Sequence, residues 1–132
     1  MTTTETATGP AHLMSLFAAR LATGDVDGLL ALYEPEAVFE PALGSVLRGV
    51  EQIRPALAEL AALHPTIEYA GEPDCVVVDG IAMVANTWTL TARLPDGGTL
   101  RQTGLSADVL RRQPDGSWRV LIDQPRGTLV AE

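Results

Sequence analysis

The sequence contains no lysine, and all nine of its basic residues are arginines. The 17 acidic residues outnumber them and leave a formal net charge of −8. Nucleic-acid binding needs clustered Lys and Arg side chains that displace counterions from phosphates. Arg111, Arg112 and Arg119 form a patch too small to reverse this balance. The charge therefore argues against a nucleic-acid partner, and it argues against an anionic membrane surface for the same reason.

Cysteine and long apolar runs are also scarce. Cys75 is the single cysteine, which excludes an internal disulfide, and its place in the apolar run CVVV predicts a buried, unreactive thiol. The first ten residues lack the basic and apolar regions of a signal peptide, and no run has the length of a membrane span. We therefore expect a cytoplasmic protein, with a disordered tail over residues 1–9 and one domain over residues 10–132.

Motifs for cofactors and metals are missing as well. His12 and His64 stand alone, without the close spacing that metal-binding histidines show. Gly97-Gly98 belongs to a turn pattern rather than to a phosphate-binding loop, and no serine lies in a nucleophile elbow. The sequence predicts no metal and no cofactor.

Apolar residues at helical spacing indicate three helices in the first half of the chain. Pro10 suits the first turn of the first helix, and Gly24 suits its C-terminal end. Asp25 is placed to cap a second, short helix that runs to Tyr33. The third helix follows Gly49.

From residue 66 the pattern changes to short β runs separated by turns at residues 79–80, 95–98 and 114–117. Each turn contains Asp-Gly, which is among the strongest local signals for a β-hairpin. Three helices followed by an antiparallel meander predict an α+β domain in which the helices cover one face of the sheet.

The turns also predict which side chains share a face, because side chains alternate along a strand. With a two-residue turn at 79–80 and a four-residue turn at 95–98, the face toward the helices carries Tyr69, Cys75, Val77, Ala82, Val84, Asn86, Trp88, Leu90, Leu105, Ala107 and Val109. The outer face then carries Thr87, Thr89, Thr91, Ser106 and Asp108. Asn86 is the polar exception on the inner face. It is either a core amide with hydrogen-bond partners or an amide that lines a ligand cavity beside Trp88.

A resemblance adds to this pattern. The segment DVDGLLALY, the run AVFEP, Gly44-Ser45, Arg48-Gly49 and Ile53 resemble the front half of SnoaL-like and ketosteroid-isomerase-like proteins of the NTF2-like superfamily. The likeness extends through the PDGSW hairpin. It implies a cone in which three helices and a curved antiparallel sheet surround an apolar pocket. It also implies a hydrophobic small molecule as ligand and a homodimer formed through the sheet.

The same resemblance implies a role for Glu40. In the isomerases the general base is an Asp directly before a Pro and a glycine-containing turn, and Glu40 has that position. The alignment needs a one-residue deletion before Glu40, so a strand-end charge facing water is the alternative. The isomerases' oxyanion donors match Phe17 and Ala107, which cannot donate a hydrogen bond, whereas Tyr33 keeps a hydroxyl. Steroid isomerisation by that mechanism is therefore not expected.

A second resemblance, to limonene-epoxide-hydrolase-like proteins, points to Asp123. Those proteins carry an Asp eight residues after the Asp of an Asp-Gly turn, and Asp123 follows Asp115 by eight. Their Arg-x-Asp pair on an earlier strand has no counterpart in NTWTLT, so the water-activating set is incomplete. Simple alternation along the last strand points Gln124 inward and Asp123 outward, and a bulge reverses this. Both orientations remain open at this point.

These features favour a cofactor-free isomerase or cyclase that transfers protons on a hydrophobic polyketide-, steroid- or terpenoid-like substrate. The base is Glu40 or Asp123. The residues predicted to contact the substrate are Phe17, Tyr33, Asn86, Trp88 and Gln124. Two alternatives are a non-catalytic protein that binds such a ligand and a dimerisation module with a vestigial pocket.

Overall fold

Three helices pack against one face of a seven-stranded sheet in a computed structural model, which describes residues 5–42 and 44–126. In chain order the elements are α1 (Pro10–Thr23), α2 (Val26–Leu30), β1 (Tyr33–Ala42), β2 (Ser45–Arg48), α3 (Val50–Ala61), β3 (Thr66–Tyr69), β4 (Asp74–Val78), β5 (Ile81–Arg93), β6 (Thr99–Arg112) and β7 (Trp118–Asp123). The predicted α+β class is confirmed.

The sheet has the strand order β2-β1-β7-β6-β5-β3, and β4 pairs with the same long strand β5 that holds β3. The pairings are antiparallel except for β1 and β7, which run parallel. Because β1 and β7 are parallel neighbours, the first and last of the described strands end side by side. That topology brings the residues of the candidate site together.

The local helix signals act where the sequence predicts them. Pro10 is at the start of α1, and Gly24 ends it with a left-handed φ of 76°. The Asp25 side chain accepts a hydrogen bond of 2.9 Å from the Gly28 N–H, which satisfies a free donor at the start of α2. One boundary differs: α2 ends at Leu30, and Tyr33 begins strand β1 instead of ending that helix.

The segment before α1 is packed on the domain, which corrects the predicted disordered tail. Ala7 is 1% exposed, and its carbonyl accepts a 2.9 Å hydrogen bond from the Trp118 N–H. The carbonyl of Glu5 accepts a hydrogen bond from the buried guanidinium of Arg20. The prediction of disorder is therefore wrong for residues 5–9, and residues 1–4 lie outside the described part of the chain.

The loop between β5 and β6 is one residue shorter than predicted. Its three residues, Pro95–Gly97, are closed by a 2.9 Å hydrogen bond from the Gly97 N–H to the Leu94 carbonyl. Gly97 has a φ of 92°, which suits the left-handed residue of a three-residue hairpin loop. The following pair in the ladder is Arg93 with Thr99.

This shorter loop reverses the facing of strand β6, because a shift of one residue moves each side chain to the opposite face. Ser106 and Asp108, predicted on the outer face, are buried on the inner face. Leu105, predicted on the inner face, is exposed on the outer one. The predicted inward facing of Ala107 and Val109 is wrong for the same reason.

The pairing predicted for β4 is confirmed, and its predicted burial is wrong. Cys75 pairs with Val84, Val77 with Ala82, and Val78 with Ile81. All five residues of β4 are nevertheless exposed. Helices α1 and α3 pack on β1, β2, β3 and β7, so β4 lies beyond the covered part of the sheet. The Cys75 thiol is accordingly exposed instead of buried.

A salt bridge on the outer face ties β1 to β6 across β7. Glu34 accepts hydrogen bonds of 2.7 and 2.6 Å from Arg111 and one of 2.8 Å from Gln113. The bond from Arg111 holds the pKa of Glu34 below its ordinary value despite partial burial. Because Glu34 is held in this way, the neighbouring Tyr33 is directed to the inner face.

Among the described residues, no helix is both long and apolar enough to cross a bilayer.

Candidate functional site

A cavity of about 490 Å³ lies between the helices and the inner face of the sheet. This volume falls in the range typical of small-molecule sites, about 300–1,000 Å³. Its wall is mainly apolar, formed by Leu13, Met14, Phe17, Phe39, Pro41, Leu57, Leu60, Ile67, Trp88, Leu90, Val120 and Pro125. Its polar lining is Tyr33, Tyr69, Gln102, Thr103, Ser106, Asp108, Asp123 and Arg126.

Two carboxylates and a tyrosine meet in this cavity. Asp108 comes from β6, Asp123 ends β7, and Tyr33 begins β1. The Tyr33 hydroxyl donates a hydrogen bond of 2.5 Å to Oδ2 of Asp123. Oδ1 of Asp108 accepts a 2.9 Å hydrogen bond from the Gln124 backbone N–H. The three groups form one connected acidic cluster in an otherwise apolar enclosure.

A bulge in β7 turns Asp123 into this cavity. Val120 pairs with Leu110, but Ile122 pairs with Val109, so one extra residue lies between the two pairs. Ile122 is 41% exposed as a result. Of the two orientations that the sequence left open for Asp123, the structure has the inward one.

Burial makes both carboxylates weaker acids than usual. It raises the pKa of Asp108 well above its ordinary value, and the charge of Asp123 raises it further. Burial also raises the pKa of Asp123, while hydrogen bonds from Tyr33 and Asp108 counteract that rise. Two adjacent carboxylates in a dry site share a proton. The proton lies on Asp108, which donates it in a hydrogen bond to the Asp123 carboxylate.

The tyrosines of the cavity stay protonated. Burial, followed by the charge of Asp123, raises the pKa of Tyr33 well above its ordinary value. Burial is also the main cause of the raised pKa of Tyr69, with Asp108 and Asp123 adding to it. The Tyr69 hydroxyl donates only a long hydrogen bond, 3.3 Å, to the Met14 carbonyl. It is therefore a donor that a ligand can redirect, whereas the Tyr33 proton is committed to Asp123.

Glu40, the other predicted base, lies outside the lining of the cavity. Phe39 and Pro41, the neighbours of Glu40 in the chain, line the cavity. Because side chains alternate along a strand, the Glu40 side chain points away from it. Its carboxylate accepts hydrogen bonds from the Gln124 side chain and, at 3.2 Å, from the Gly44 N–H. The structure thus separates Glu40 from the Asp108–Asp123 pair, and its geometry gives no support to Glu40 as a base inside the cavity.

The residues predicted to contact the substrate divide into two groups. Phe17, Tyr33 and Trp88 line the cavity. Asn86 is buried on the inner face without lining it, and its Nδ2 has no hydrogen-bond partner among the described residues. The Gln124 side chain points to Glu40 instead of into the cavity.

Sequence reasoning did not identify Asp108, Tyr69 or Arg126 as site residues. A four-residue turn over residues 95–98 places Asp108 on the outer face, away from the cavity. The signal that identifies it is the loop itself, because Pro-Asp-Gly fits a three-residue hairpin with glycine in the left-handed region. Tyr69 was placed on the correct face without a role, and nothing in the local sequence marks Arg126. Within the described ranges, His, Cys, Asp and Glu side chains form no metal-binding group of three.

Gly104 gives Trp88 the space in which it forms the cavity wall. The two residues pair across β5 and β6, and a Cβ on Gly104 would lie 2.6 Å from Cζ2 of the indole. The indole N–H donates a 2.8 Å hydrogen bond to the Pro125 carbonyl, so Trp88 also holds the segment that follows β7. The close approach of an aromatic ring explains a glycine in the middle of a strand.

Gly104→Ala is therefore expected to destabilise the protein. A Gly→Ala change at an unstrained strand position normally stabilises by about 0.4–1 kcal/mol, through the unfolded state. Here the added methyl group overpacks against the indole, so the free energy of unfolding should fall by about 1–3 kcal/mol instead of rising. Urea unfolding measures this. Trp88→Phe in the same chain is the control, because the smaller ring removes the overlap and should recover part of the loss. If the single variant Gly104→Ala were more stable than the wild-type protein, Gly104 would not be required for the close packing of Trp88.

Comparison with known proteins agrees with this architecture. A family model described as a SnoaL-like domain matches residues 15–120. An NTF2-like superfamily protein from Salmonella enterica has 22% identity, covers 92% of each chain and superposes with a TM-score of 0.77. A candidate calcium/calmodulin-dependent protein kinase II association domain from Xanthomonas campestris has 23% identity, 94% coverage of each chain and a TM-score of 0.77.

A third similar structure is a candidate ketosteroid isomerase from Shewanella frigidimarina, at 18% identity and a TM-score of 0.72, with 88% of this chain and 94% of that chain covered. No curated protein matches the chain. At these identities the structural matches establish the NTF2-like fold, and the predicted cone is confirmed. They establish no activity, since the fold carries many.

Proposed function

The chain belongs to the SnoaL-like domain family, and on that premise we propose that it is a cofactor-free acid–base catalyst that moves a proton within a hydrophobic carbonyl compound. The observation that carries this proposal is the Asp108–Asp123 pair, in which one carboxyl is an acid and the other a base, at the wall of a largely apolar cavity. Such a pair supplies both partners of a proton transfer without a cofactor.

Asp123 is the base in this proposal. It removes a proton from the carbon next to the substrate carbonyl, and the electron pair of the broken C–H bond becomes the C=C bond of an enolate. The desolvated carboxylate is a stronger base than one in water, because burial raises the pKa of Asp123. Tyr33 is a positioning residue, since its hydroxyl donates to Asp123 and holds that carboxylate in place.

Asp108 is the acid. Its proton moves toward the carbonyl oxygen, where negative charge develops, and Tyr69 supplies a second donor if its long bond to Met14 is released. The enol then returns its O–H proton to Asp108 as its carbonyl re-forms. In a conjugated substrate the electron pair takes the proton from Asp123 at another carbon, which gives an isomer. Alternatively the electron pair forms a C–C bond to a second carbonyl carbon, whose oxygen takes the Asp123 proton, and a ring closes. These donors replace the two that Phe17 and Ala107 cannot provide.

The substrate class follows from the cavity. A volume of about 490 Å³ with twelve apolar lining residues suits a polyketide-, steroid- or terpenoid-like molecule. The reaction is tested by incubating the protein in D₂O with a panel of hydrophobic ketones, such as 2-tetralone, and following α-proton exchange by NMR. Exchange above the buffer rate supports catalysis. Ligands that raise the melting temperature without any exchange would instead favour the binding-protein alternative.

We also propose that the protein forms a homodimer through the outer face of the sheet. Ser106 and Asp108, which were predicted on this face, lie on the inner one. The outer face presents four exposed apolar side chains, Val76, Met83, Leu105 and Ile122, which are 66%, 64%, 38% and 41% exposed. Val76 pairs with Met83, so both lie on one continuous apolar surface. Exposed apolar patches of this kind are typical of protein interfaces.

Val76→Glu is expected to shift the protein from dimer to monomer, because a buried unpaired carboxylate opposes association. Val77→Glu is the matched control, since Val77 is the next residue, 52% exposed, and faces the other side of the strand. Light scattering after size-exclusion chromatography measures the mass. A wild-type monomer, or equal effects of the two variants, would contradict an interface on this face.

A further inference from the structure

The segment that follows β7 places an arginine at the rim of the cavity. Arg126 lines the cavity while its side chain is 37% exposed, so it lies between the enclosed space and solvent. The preceding Pro125 is held by the indole N–H of Trp88. Among the described lining residues, Arg126 is the one cation, and it faces the same space as Asp108 and Asp123.

The guanidinium of Arg126 is incompletely used. Its contact with Glu40 is a single, long one of 3.5 Å between Nη2 and Oε1. Its Nε is buried and has no partner among the described residues. A buried donor without an acceptor is unfavourable. Arginine presents its donors as a planar fork that matches a carboxylate.

Glu40 is a weak competitor for this fork. Its carboxylate already accepts from the Gln124 side chain and from the Gly44 N–H. These bonds hold Glu40 away from the cavity, which Arg126 lines and Glu40 does not. The partly exposed guanidinium therefore keeps donors for an acceptor that arrives with a ligand.

We propose that Arg126 forms a carboxylate subsite at the cavity rim, and that the natural substrate is an apolar carbonyl compound carrying a carboxylate. That the substrate has a carbonyl rests on the proposed function. That it has a carboxylate rests only on Arg126. Arg126 is three residues after Asp123, so their Cα atoms are at most about 11 Å apart. This proximity favours a substrate in which a short spacer separates the carboxylate from the reacting carbonyl.

The probes are 2-tetralones that carry an acetate, propanoate or butanoate side chain, each compared with its methyl ester. Isothermal titration calorimetry gives the Kd of each pair. In the wild-type protein the best acid should bind more tightly than its ester. Arg126→Gln should raise the Kd of that acid by about 10- to 100-fold, because a hydrogen bond to a charged group is lost. The Kd of the ester should be unchanged.

Arg101→Gln is the matched control. Arg101 is exposed on the same strand as Asp108 and outside the cavity lining, and its loss changes the net charge equally. It should leave both Kd values unchanged. The proposal is overturned if no acid binds better than its ester, if Arg126→Gln weakens acid and ester alike, or if Arg101→Gln has the same effect. Because binding is measured without turnover, absent α-proton exchange with a retained acid preference would reject the proposed catalysis and leave the subsite standing.

Discussion

Asp123→Asn is expected to lower the rate of α-proton exchange by about 10²- to 10⁴-fold, the usual contribution of a positioned general base. The amide cannot accept the substrate proton, yet it keeps the shape of the carboxylate and an oxygen that can accept from Tyr33. The melting temperature should be unchanged or higher, because a buried charge is removed from the cavity. Exchange followed by NMR in D₂O and a thermal melt of the same sample measure both effects.

Glu40→Gln is the matched control for this experiment. It makes the same chemical change in a carboxylate that lies outside the cavity lining, and it should retain the wild-type exchange rate. If Glu40→Gln abolished exchange while Asp123→Asn kept it, the base would be Glu40 and the assignment to Asp123 would be wrong. Equal rates in all three proteins would reject both carboxylates as the base.

Asp108→Asn should stabilise the protein at neutral pH and remove part of its pH dependence. The pKa of Asp108 is raised in the folded state, chiefly by burial, above the ordinary value of 3.8 that the unfolded chain retains. Between these two values the folded state binds more protons, so the free energy of unfolding falls as the pH rises. Above that window the gain in the variant is about 1.4 kcal/mol for each unit of pKa difference.

Urea unfolding of both proteins between about pH 3 and pH 8 measures this difference. The two curves should converge at the acidic end, below the ordinary pKa of 3.8, where Asp108 is protonated in both states, and separate as the pH rises. Asp115→Asn is the control of opposite sign, because the hydrogen bonds from Ser117 lower the pKa of Asp115 in its exposed turn. It should give no gain at neutral pH. A loss of stability in Asp108→Asn that grows with pH would show that Asp108 is an ionised, stabilised carboxylate.

The features that were predicted correctly depend on neighbours in sequence. Proline at the start and glycine at the end of α1, and the aspartate before α2, act on backbone groups within one turn. The Asp79-Gly80 turn is equally local, and the pairing of Val78 with Ile81 that it predicts is present. Local signals of this kind are strong because the interacting groups are already close in the unfolded chain.

The features that were missed depend on counting across a loop or a strand. One residue in the Pro95–Gly97 loop decides whether Asp108 or Ala107 faces the cavity. One extra residue in β7 decides whether Asp123 faces the cavity or the opposite side of the sheet. Neither loop length nor bulge has a unique local signature, because Pro-Asp-Gly-Gly permits two turns and a bulge is selected by how the whole sheet packs.

By itself, the sequence determined the fold class and the order of the helices and hairpins, since these follow from periodicity and turn residues, whereas the apolar pocket was implied by the resemblance to SnoaL-like proteins. Only the tertiary structure decided which acids share the cavity. Asp108, Asp123 and Tyr33 come from three strands, and Tyr33 and Asp123 are 90 residues apart in the chain. Side chains alternate every residue along a strand, so an offset of one moves a carboxylate from solvent into the cavity, and that offset is settled only when the strands pair.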